Sequence, residues 1–560
     1  MTHNSPFAGD SYFQDQSLPE RFEKIVARYP DRLAVKFADL SLSYRKLNES
    51  SNRIARALLA VKHSESAPVA LLCGYGINVI AAMLGALKAG KKVCPADTHA
   101  PEERIRYILD DCQATLILTD DRYFNLAQRL ADDVRRVVNL DHLDATISPD
   151  NLGLLIAPNQ TAFIAYTSGS TGQPRGVART HQERVARAIS SGHFRKISTE
   201  DRVSLLHSVG FGSGMADLFM ALLNGAAILP FDFASKGVLS LAKWLKDERI
   251  TIFHSPPAAF RELANVEFST GHFTDLRLIR LSGAPITRND FELYRSKFDQ
   301  DTLLEVGMGS AEMEATCNAV VDQHFSFPEE GSPVGYAREG KEILILDNEG
   351  HELGPGQIGE IAVRSRDFTE EFYRQRDLPR EKFRRDPHDE NALIYLTRDL
   401  GTILSDGFVI HLGRKDLMVK IRGFRVDISE IERALLEHPM VEKAAVAAWD
   451  RDADDPYLAG YIVTRHGTAP NASTLNEFIR HKLPDYMIPS AYVFLQSLPL
   501  TNGKLDRRAL PAPNPIRPEL EPGYQVPRNP VEEILAKIWA EVLKVEKVGI
   551  QDNFFDPTRY

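Results

Sequence analysis

Short apolar runs alternate with helical spacing over the first third of the chain. Between Leu18 and Tyr29 the apolar residues Phe22, Ile25, Val26 and Tyr29 recur as on one helix face, and a second amphipathic stretch follows Leu42-Ser43-Tyr44. From Val69 the pattern reads strand (69–73), helix to Lys88, strand (93–95), helix from Glu102, strand (115–118). That alternation predicts parallel strands joined by crossover helices, and so an α/β fold of packed sheets. A further apolar run, 162–165, predicts a buried strand, while 250–257 and 276–285 each read as a strand followed by a turn. Late in the chain the pattern changes. A helix over 428–438, strands over 441–448 and 459–463 and a helix over 475–483 predict a separate, small α+β unit. A proline-rich linker from Leu510 to about Pro527 precedes an amphipathic helix over 531–543.

Composition narrows the function without naming it. With 560 residues the chain exceeds a single core, and 43% hydrophobic with 26% charged residues fits an ordinary globular protein. A formal charge of −10 offers no basic face for nucleic acid, which points to small molecules or other proteins as partners. Met1 to Gln16 is polar and predicts no secretory leader. The longest uncharged span, 66–87, is interrupted by Pro68, Gly74-Tyr75-Gly76 and Asn78, so no membrane span is expected. Cys73, Cys94, Cys112 and Cys317 have neither metal nor redox spacing, and a cytoplasmic location is expected.

The candidate chemistry begins directly after the apolar run ending at Ala165. Tyr166-Thr167-Ser168-Gly169-Ser170-Thr171-Gly172-Gln173-Pro174-Arg175-Gly176-Val177 carries glycines that let backbone N–H groups turn toward an anion, and the hydroxyls of Thr167, Ser168, Ser170 and Thr171 add donors. It is a phosphate loop by its chemistry. The common P-loop is excluded, because Pro174 and Arg175 stand where that motif needs Lys-Ser/Thr. The glycine-rich stretch His207 to Phe219 also fails the dinucleotide fingerprint, since Met215 replaces the last glycine. Further on, Gly413-Arg414-Lys415-Asp416 is a charged turn between two strand-like runs, suited to a domain boundary. Thr501-Asn502-Gly503-Lys504 is a turn presenting one lysine.

Taken in order, these stretches resemble the motifs of the adenylate-forming enzymes, and in particular nonribosomal peptide synthetase adenylation domains. The resemblance spans roughly Phe22 to Phe555 and implies a core domain over 1–414, a mobile C-terminal subdomain over 415–508 with its hinge at Asp416, a linker over 509–527 and a partial carrier domain over 528–560. It implies ATP and Mg²⁺ as cofactors and phosphopantetheine on a carrier. Its candidate partners are a carboxylic acid substrate, a carrier domain and a small helper protein. By the same resemblance Thr167, Ser168, Gly169, Ser170, Thr171 and Gly172 cradle the phosphates, and Gly283, Met308, Gly309 and Ser310 complete the nucleotide side. Glu312 holds the metal, Asp399 bonds the ribose hydroxyls, Arg414 contacts ribose and phosphate, and Lys504 bridges carboxylate and α-phosphate during activation. The acyl pocket maps to Gly212, Ser213, Ala216, His254, Arg280, Ser282, Gly307, Ala315 and Thr316.

Three positions depart from the family pattern. Met308 stands for the aromatic residue that stacks on adenine, Arg398 for a glycine, and Gly212 for the aspartate that grips an α-ammonium. A buried ammonium without a counter-charge is costly, so Gly212 predicts an acid lacking a conventionally bound α-amino group: keto, hydroxy, β-amino, aryl or fatty. Asp217 lies nearby but on another face of the helix. Gly212, Ser213, Ala216, Ser282 and Gly307 are expected to leave room, with Arg280 meeting a substrate oxygen. The chain ends at Tyr560, before the serine that a carrier would have modified, so a shortened form of the chain is expected and this fragment cannot be loaded. Two alternatives remain open: an acyl-CoA ligase, and a degenerate, non-catalytic docking module.

Overall fold

The computed structural model describes residues 15–61, 67–98, 100–167, 174–210, 212–266, 273–310, 313–366, 368, 373, 383–415, 418–421, 424–450, 456–465, 470–501, 504–505, 507–513, 526–543 and 549–550. The alternating first third builds a six-stranded sheet in the order Arg136–Asn139, Leu116–Thr119, Val69–Leu72, Val93–Pro95, Thr161–Thr167 and Arg175–Thr180. Its first five strands run parallel and only the last pair is antiparallel. All four residues of Val69–Leu72 are buried, as expected for a strand covered on both faces.

A second, larger sheet carries a parallel stretch in the order Ala227–Pro230, Arg202–Leu205, Ile252–Ser255, Leu278–Leu281 and Leu303–Ser310, and Glu314–Val321 folds back antiparallel on the last of these. Contacts divide the chain into a larger unit, Met1–Thr98 with Ile105–Thr167 and Pro174–Asp416, and a smaller unit whose main part is Leu417–Tyr560. In the smaller unit Val441–Asp450 pairs antiparallel with Pro456–Thr464, which runs parallel to Ala491–Phe494. Ile431, Leu435, Val446, Ile462, Leu475 and Ile479 form its own core. The fold is therefore α/β, with a large N-terminal unit and a small C-terminal α+β unit. No helix among the described residues is long and apolar enough to cross a membrane.

Element types follow the apolar pattern, while element ends follow side-chain caps. The helix expected over 475–483 runs Ala472–Arg480, because the Asn471 side chain accepts from the Thr474 N–H and starts the helix earlier than its apolar face indicates. Helix His181–Phe194 begins at a capping box in which Thr180 and Glu183 satisfy each other's backbone N–H groups. The four cysteines are all reduced and buried.

One glycine is needed for packing and not for conformation. Helix Ile77–Lys88 approaches helix Tyr44–Ala60 so closely that a Cβ on Gly85 would lie 2.7 Å from the Ile54 side chain and 2.9 Å from the Ser51 carbonyl oxygen. Gly85→Ala is therefore expected to lower stability by about 1–3 kcal/mol, read from the urea midpoint of the full chain.

Candidate active site

Ligands of parallel α/β sheets collect outside the carboxyl ends of the strands. In the larger sheet those ends carry His207, shortly after Arg202–Leu205, then His254 and Ser255, then Ser282 and Gly283 after Leu278–Leu281. Register places His254 opposite Arg280 and Arg280 opposite Glu305, so three polar side chains line up across three adjacent strands. Helix Gly212–Leu222 adds Asp217, which is fully buried.

These residues form one connected charge network. Arg195, at the C-cap of helix His181–Phe194, grips both oxygens of Glu305, with its Nε donating at 2.6 Å. Arg280 donates to Glu305 at 3.1 Å and, through its other arm, to Asp217. The second oxygen of Asp217 lies 2.5 Å from His254 Nδ1, and His254 Nε2 lies 2.6 Å from Ser282 Oγ. The His207 ring is tilted against the His254 ring at 4.4 Å between centroids. Two guanidiniums and two carboxylates thus alternate. Burial opposes ionisation of Glu305, yet Arg195 and Arg280 bring its carboxyl down to about 2. Asp217 is likewise held well below the usual range, burial being outweighed by His254 and Arg280. Burial, with the Arg280 charge beyond it, lowers His254, and burial with His254 lowers His207 to about 3.

The pocket residues assigned by resemblance divide on this geometry. Gly212, Ser213 and Ala216 are half-buried, and among the described residues a Cβ at Gly212 would meet nothing within 4 Å. Arg280 is only 12% exposed, and its Nε and Nη1 groups bridge Glu305 and Asp217. Gly307 leaves less room than its missing side chain suggests. Its Cβ direction points 2.9 Å from the Cys317 carbonyl oxygen on the neighbouring strand, so the glycine serves strand packing on that side. Ala315 is half-buried, and Thr316 is buried with its hydroxyl donating to the Met308 carbonyl at 3.2 Å.

On the nucleotide side, Asp399 and Arg414 are cross-strand partners, and the Arg414 guanidinium donates to the Asp399 carboxylate at 2.6 Å. The neighbouring Arg398 sits at φ 63°, the left-handed region that favours glycine and costs other residues about 1–2 kcal/mol. Its backbone is held there from both sides: its N–H donates to Glu360 at 3.0 Å and its carbonyl accepts from the Lys415 N–H at 2.7 Å. Met308 is half-buried and packs beside the core of Met313, Cys317 and Tyr395. A Cβ on Gly309 would lie 2.3 Å from the Glu314 carbonyl oxygen. Ser310 Oγ accepts from the Met313 N–H at 3.3 Å, and Gly283 turns the chain at φ 93°. Ser168 to Gly172, Glu312, Asp416, the side chains of Thr167 and Lys504, and the carrier-like segment at 552–556 lie outside the described residues.

Sequence reasoning missed Arg195 and Glu305. The available signal was an acidic residue inside the apolar run Leu303-Leu304-Glu305-Val306, since a charge buried in a strand needs a partner.

Removing Asp217 would leave Arg280 and His254 facing a gap, so Asp217→Ala is expected to cost about 3–5 kcal/mol in urea unfolding. The depressed Glu305 carboxyl contributes stability that is fully present above its ordinary value of 4.5 and is lost as pH falls toward about 2. In a urea-midpoint series across that window, Glu305→Gln is expected to be less stable than the parent at neutral pH and to show a shallower acid decline.

A profile of the AMP-binding enzyme family matches residues 22–373, and that of the AMP-binding enzyme C-terminal domain matches 430–504. The chain is similar to tyrocidine synthase 3 of Brevibacillus parabrevis, 34% identical over 98% of this chain, and to bacitracin synthase 3 of Bacillus licheniformis, 33% identical over 97%. It spans only 8% of the length of either relative. Among solved structures, its fold resembles holo-PA1221, a synthetase protein with adenylation and PCP domains (TM-score 0.78, 23% identity, 96% of this chain and 89% of that one). It also resembles NpsA-ThdA, an artificially fused adenylation–PCP di-domain from Klebsiella oxytoca (TM-score 0.75, 22% identity, 86% and 94%). With one family match over most of the larger unit and a second in the smaller, the chain belongs to the AMP-binding enzyme family and is an adenylating, AMP-forming ligase.

Proposed function

We propose that the chain activates a carboxylic acid with Mg·ATP and passes the acyl group to the phosphopantetheine thiol of a carrier in nonribosomal peptide-type biosynthesis. A substrate carboxylate oxygen attacks the α-phosphorus, the bond to the β-phosphate breaks, and acyl-adenylate and pyrophosphate form. The carrier thiolate then attacks the acyl carbonyl and AMP leaves. The observation that carries this reading is the Asp399–Arg414 pair, because two side chains assigned to the nucleotide from separate sequence words stand side by side on adjacent strands. Asp399 would accept from the ribose hydroxyls, and Arg414 would hold that carboxylate and reach a phosphate. The loop over 168–172 would position the leaving pyrophosphate, Glu312 would ligate Mg²⁺, and Lys504 would meet the charge developing between carboxylate and α-phosphate. Rotation about Asp416 would then exchange Lys504 for a face that admits the thiol.

The substrate reading is an acid without a conventionally bound α-ammonium. Two features support it: no described residue lies within 4 Å of a Cβ at Gly212, where a carboxylate would be needed, and both oxygens of the buried Asp217 are engaged by His254 and Arg280. The helix Pro530–Leu543 supports a carrier over free CoA as acceptor. Val531, Ile534, Leu535 and Ile538 share one exposed apolar face, as expected of the first helix of a domain that continues beyond it.

ATP–pyrophosphate exchange by the full chain across a panel of acids tests the reading. Exchange that depends on an acid is expected, and Lys504→Ala should lower it about a hundredfold or more. Exchange with no acid would favour the docking-module alternative. Preference for an ordinary L-α-amino acid would refute the substrate class, and acyl transfer to free CoA would favour the CoA ligase.

A further inference from the structure

Asp217, His254 and Ser282 form a hydrogen-bond chain whose direction is set at its buried end. Asp217 is 0% exposed, and one of its oxygens takes an N–H of Arg280. An ionised carboxylate only accepts, so its contact with His254 Nδ1 requires the hydrogen to sit on that nitrogen. His254 is 2% exposed, and burial together with the Arg280 charge opposes a second proton on the ring. A neutral imidazole carries one N–H, which leaves Nε2 as a bare lone pair. Ser282 Oγ, 2.6 Å away, must therefore donate its only hydrogen to that nitrogen. What remains on the serine oxygen is acceptor capacity alone.

Ser282 stands where a ligand can use that capacity. It is half-buried, it follows the carboxyl end of Leu278–Leu281, and its own backbone N–H is taken by the Ser255 carbonyl at 3.2 Å. The segment bearing His207, whose ring lies on His254, packs under the first turn of helix Gly212–Leu222. A Cβ on Gly214 would lie 2.6 Å from the His207 carbonyl oxygen, whereas one on Gly212 would meet no described residue within 4 Å. His207 Nδ1 finds no hydrogen-bond partner among the described residues.

We propose that Ser282, polarised by Asp217 through His254, is an acceptor-only contact in the acyl pocket and selects acids bearing an O–H or N–H donor where their side group meets it. This rests on the adenylation reading and narrows its substrate class toward hydroxy and amino acids of unconventional pattern and away from keto, ether and purely apolar acids. A ketone or ether placed against Ser282 brings two acceptors together, and an apolar group leaves the serine oxygen unpaired. Either mismatch is expected to lower exchange about tenfold or more relative to a matched donor.

The test is pyrophosphate exchange by the full chain with three matched pairs: 2-hydroxy-4-methylpentanoate against 4-methyl-2-oxopentanoate, 3-hydroxybutanoate against 3-methoxybutanoate, and 4-hydroxybenzoate against 4-methoxybenzoate. In the best-accepted pair the hydroxy member should lead by about tenfold or more, Ser282→Thr should keep that lead, and Ser282→Ala should reduce it to about threefold or less. Equal or better exchange with the keto or methoxy member overturns the inference while leaving adenylation intact. Exchange with none of these acids or any other removes the adenylation reading, and the inference falls with it. A second readout needs no substrate: ¹⁵N spectra of histidine-labelled protein near neutral pH, with His254 assigned through His254→Gln, should show a protonated Nδ1 and a bare Nε2. A proton on Nε2 overturns the inference whatever the exchange data give, including where Ser282→Ala fails to fold.

Discussion

Four charged side chains buried beneath the strand ends set the form of the candidate pocket. Arg195, Glu305, Arg280 and Asp217 alternate in sign, and each is anchored by the next. Taking any one of these groups out of water is costly, and the attraction between neighbours offsets that cost only while every link is present. The network joins two helices and two strands of the parallel sheet, with His254 adding a third strand. The same links commit Arg280 and Asp217 to each other and to Glu305 and His254. A polar pocket wall can therefore be rich in charge yet present almost none of it.

The two sides of the site are built differently. The nucleotide side depends on register: Asp399 and Arg414 are brought together by an antiparallel ladder, and the strained backbone at Arg398 is pinned between Glu360 and Lys415. The acyl side depends on relay through side chains from different strands and a helix. A change in one member of the ladder is felt mainly by its cross-strand neighbour. A change in the relay alters the hydrogen-bonding character of a serine that itself stays in place.

Much of the fold was legible in the apolar pattern because short buried strands and crossover helices leave different spacings. The parallel strands Val69–Leu72, Val93–Pro95 and Leu116–Thr119 fall within a residue or so of where the runs place them. Helix ends were less legible, since a single polar cap such as Asn471 moves them by a turn. On the site, words that are contiguous in sequence could be read and grouped by resemblance. The partnership of Arg280 with Asp217, 63 positions away, could not, because it depends on which way a strand residue faces and on how a helix docks above it. Gly307 shows the same limit: a missing side chain suggests room, but here the room is taken by the next strand's carbonyl.

The placement of the cysteines has a practical result for anyone following how this protein opens. All four thiols are buried and lie between residues 73 and 317, within the larger unit, and none occurs after Asp416. A thiol-reactive dye therefore cannot label the native chain without an excursion of the larger unit. Its labelling rate therefore reports how often these buried thiols of the larger unit are uncovered.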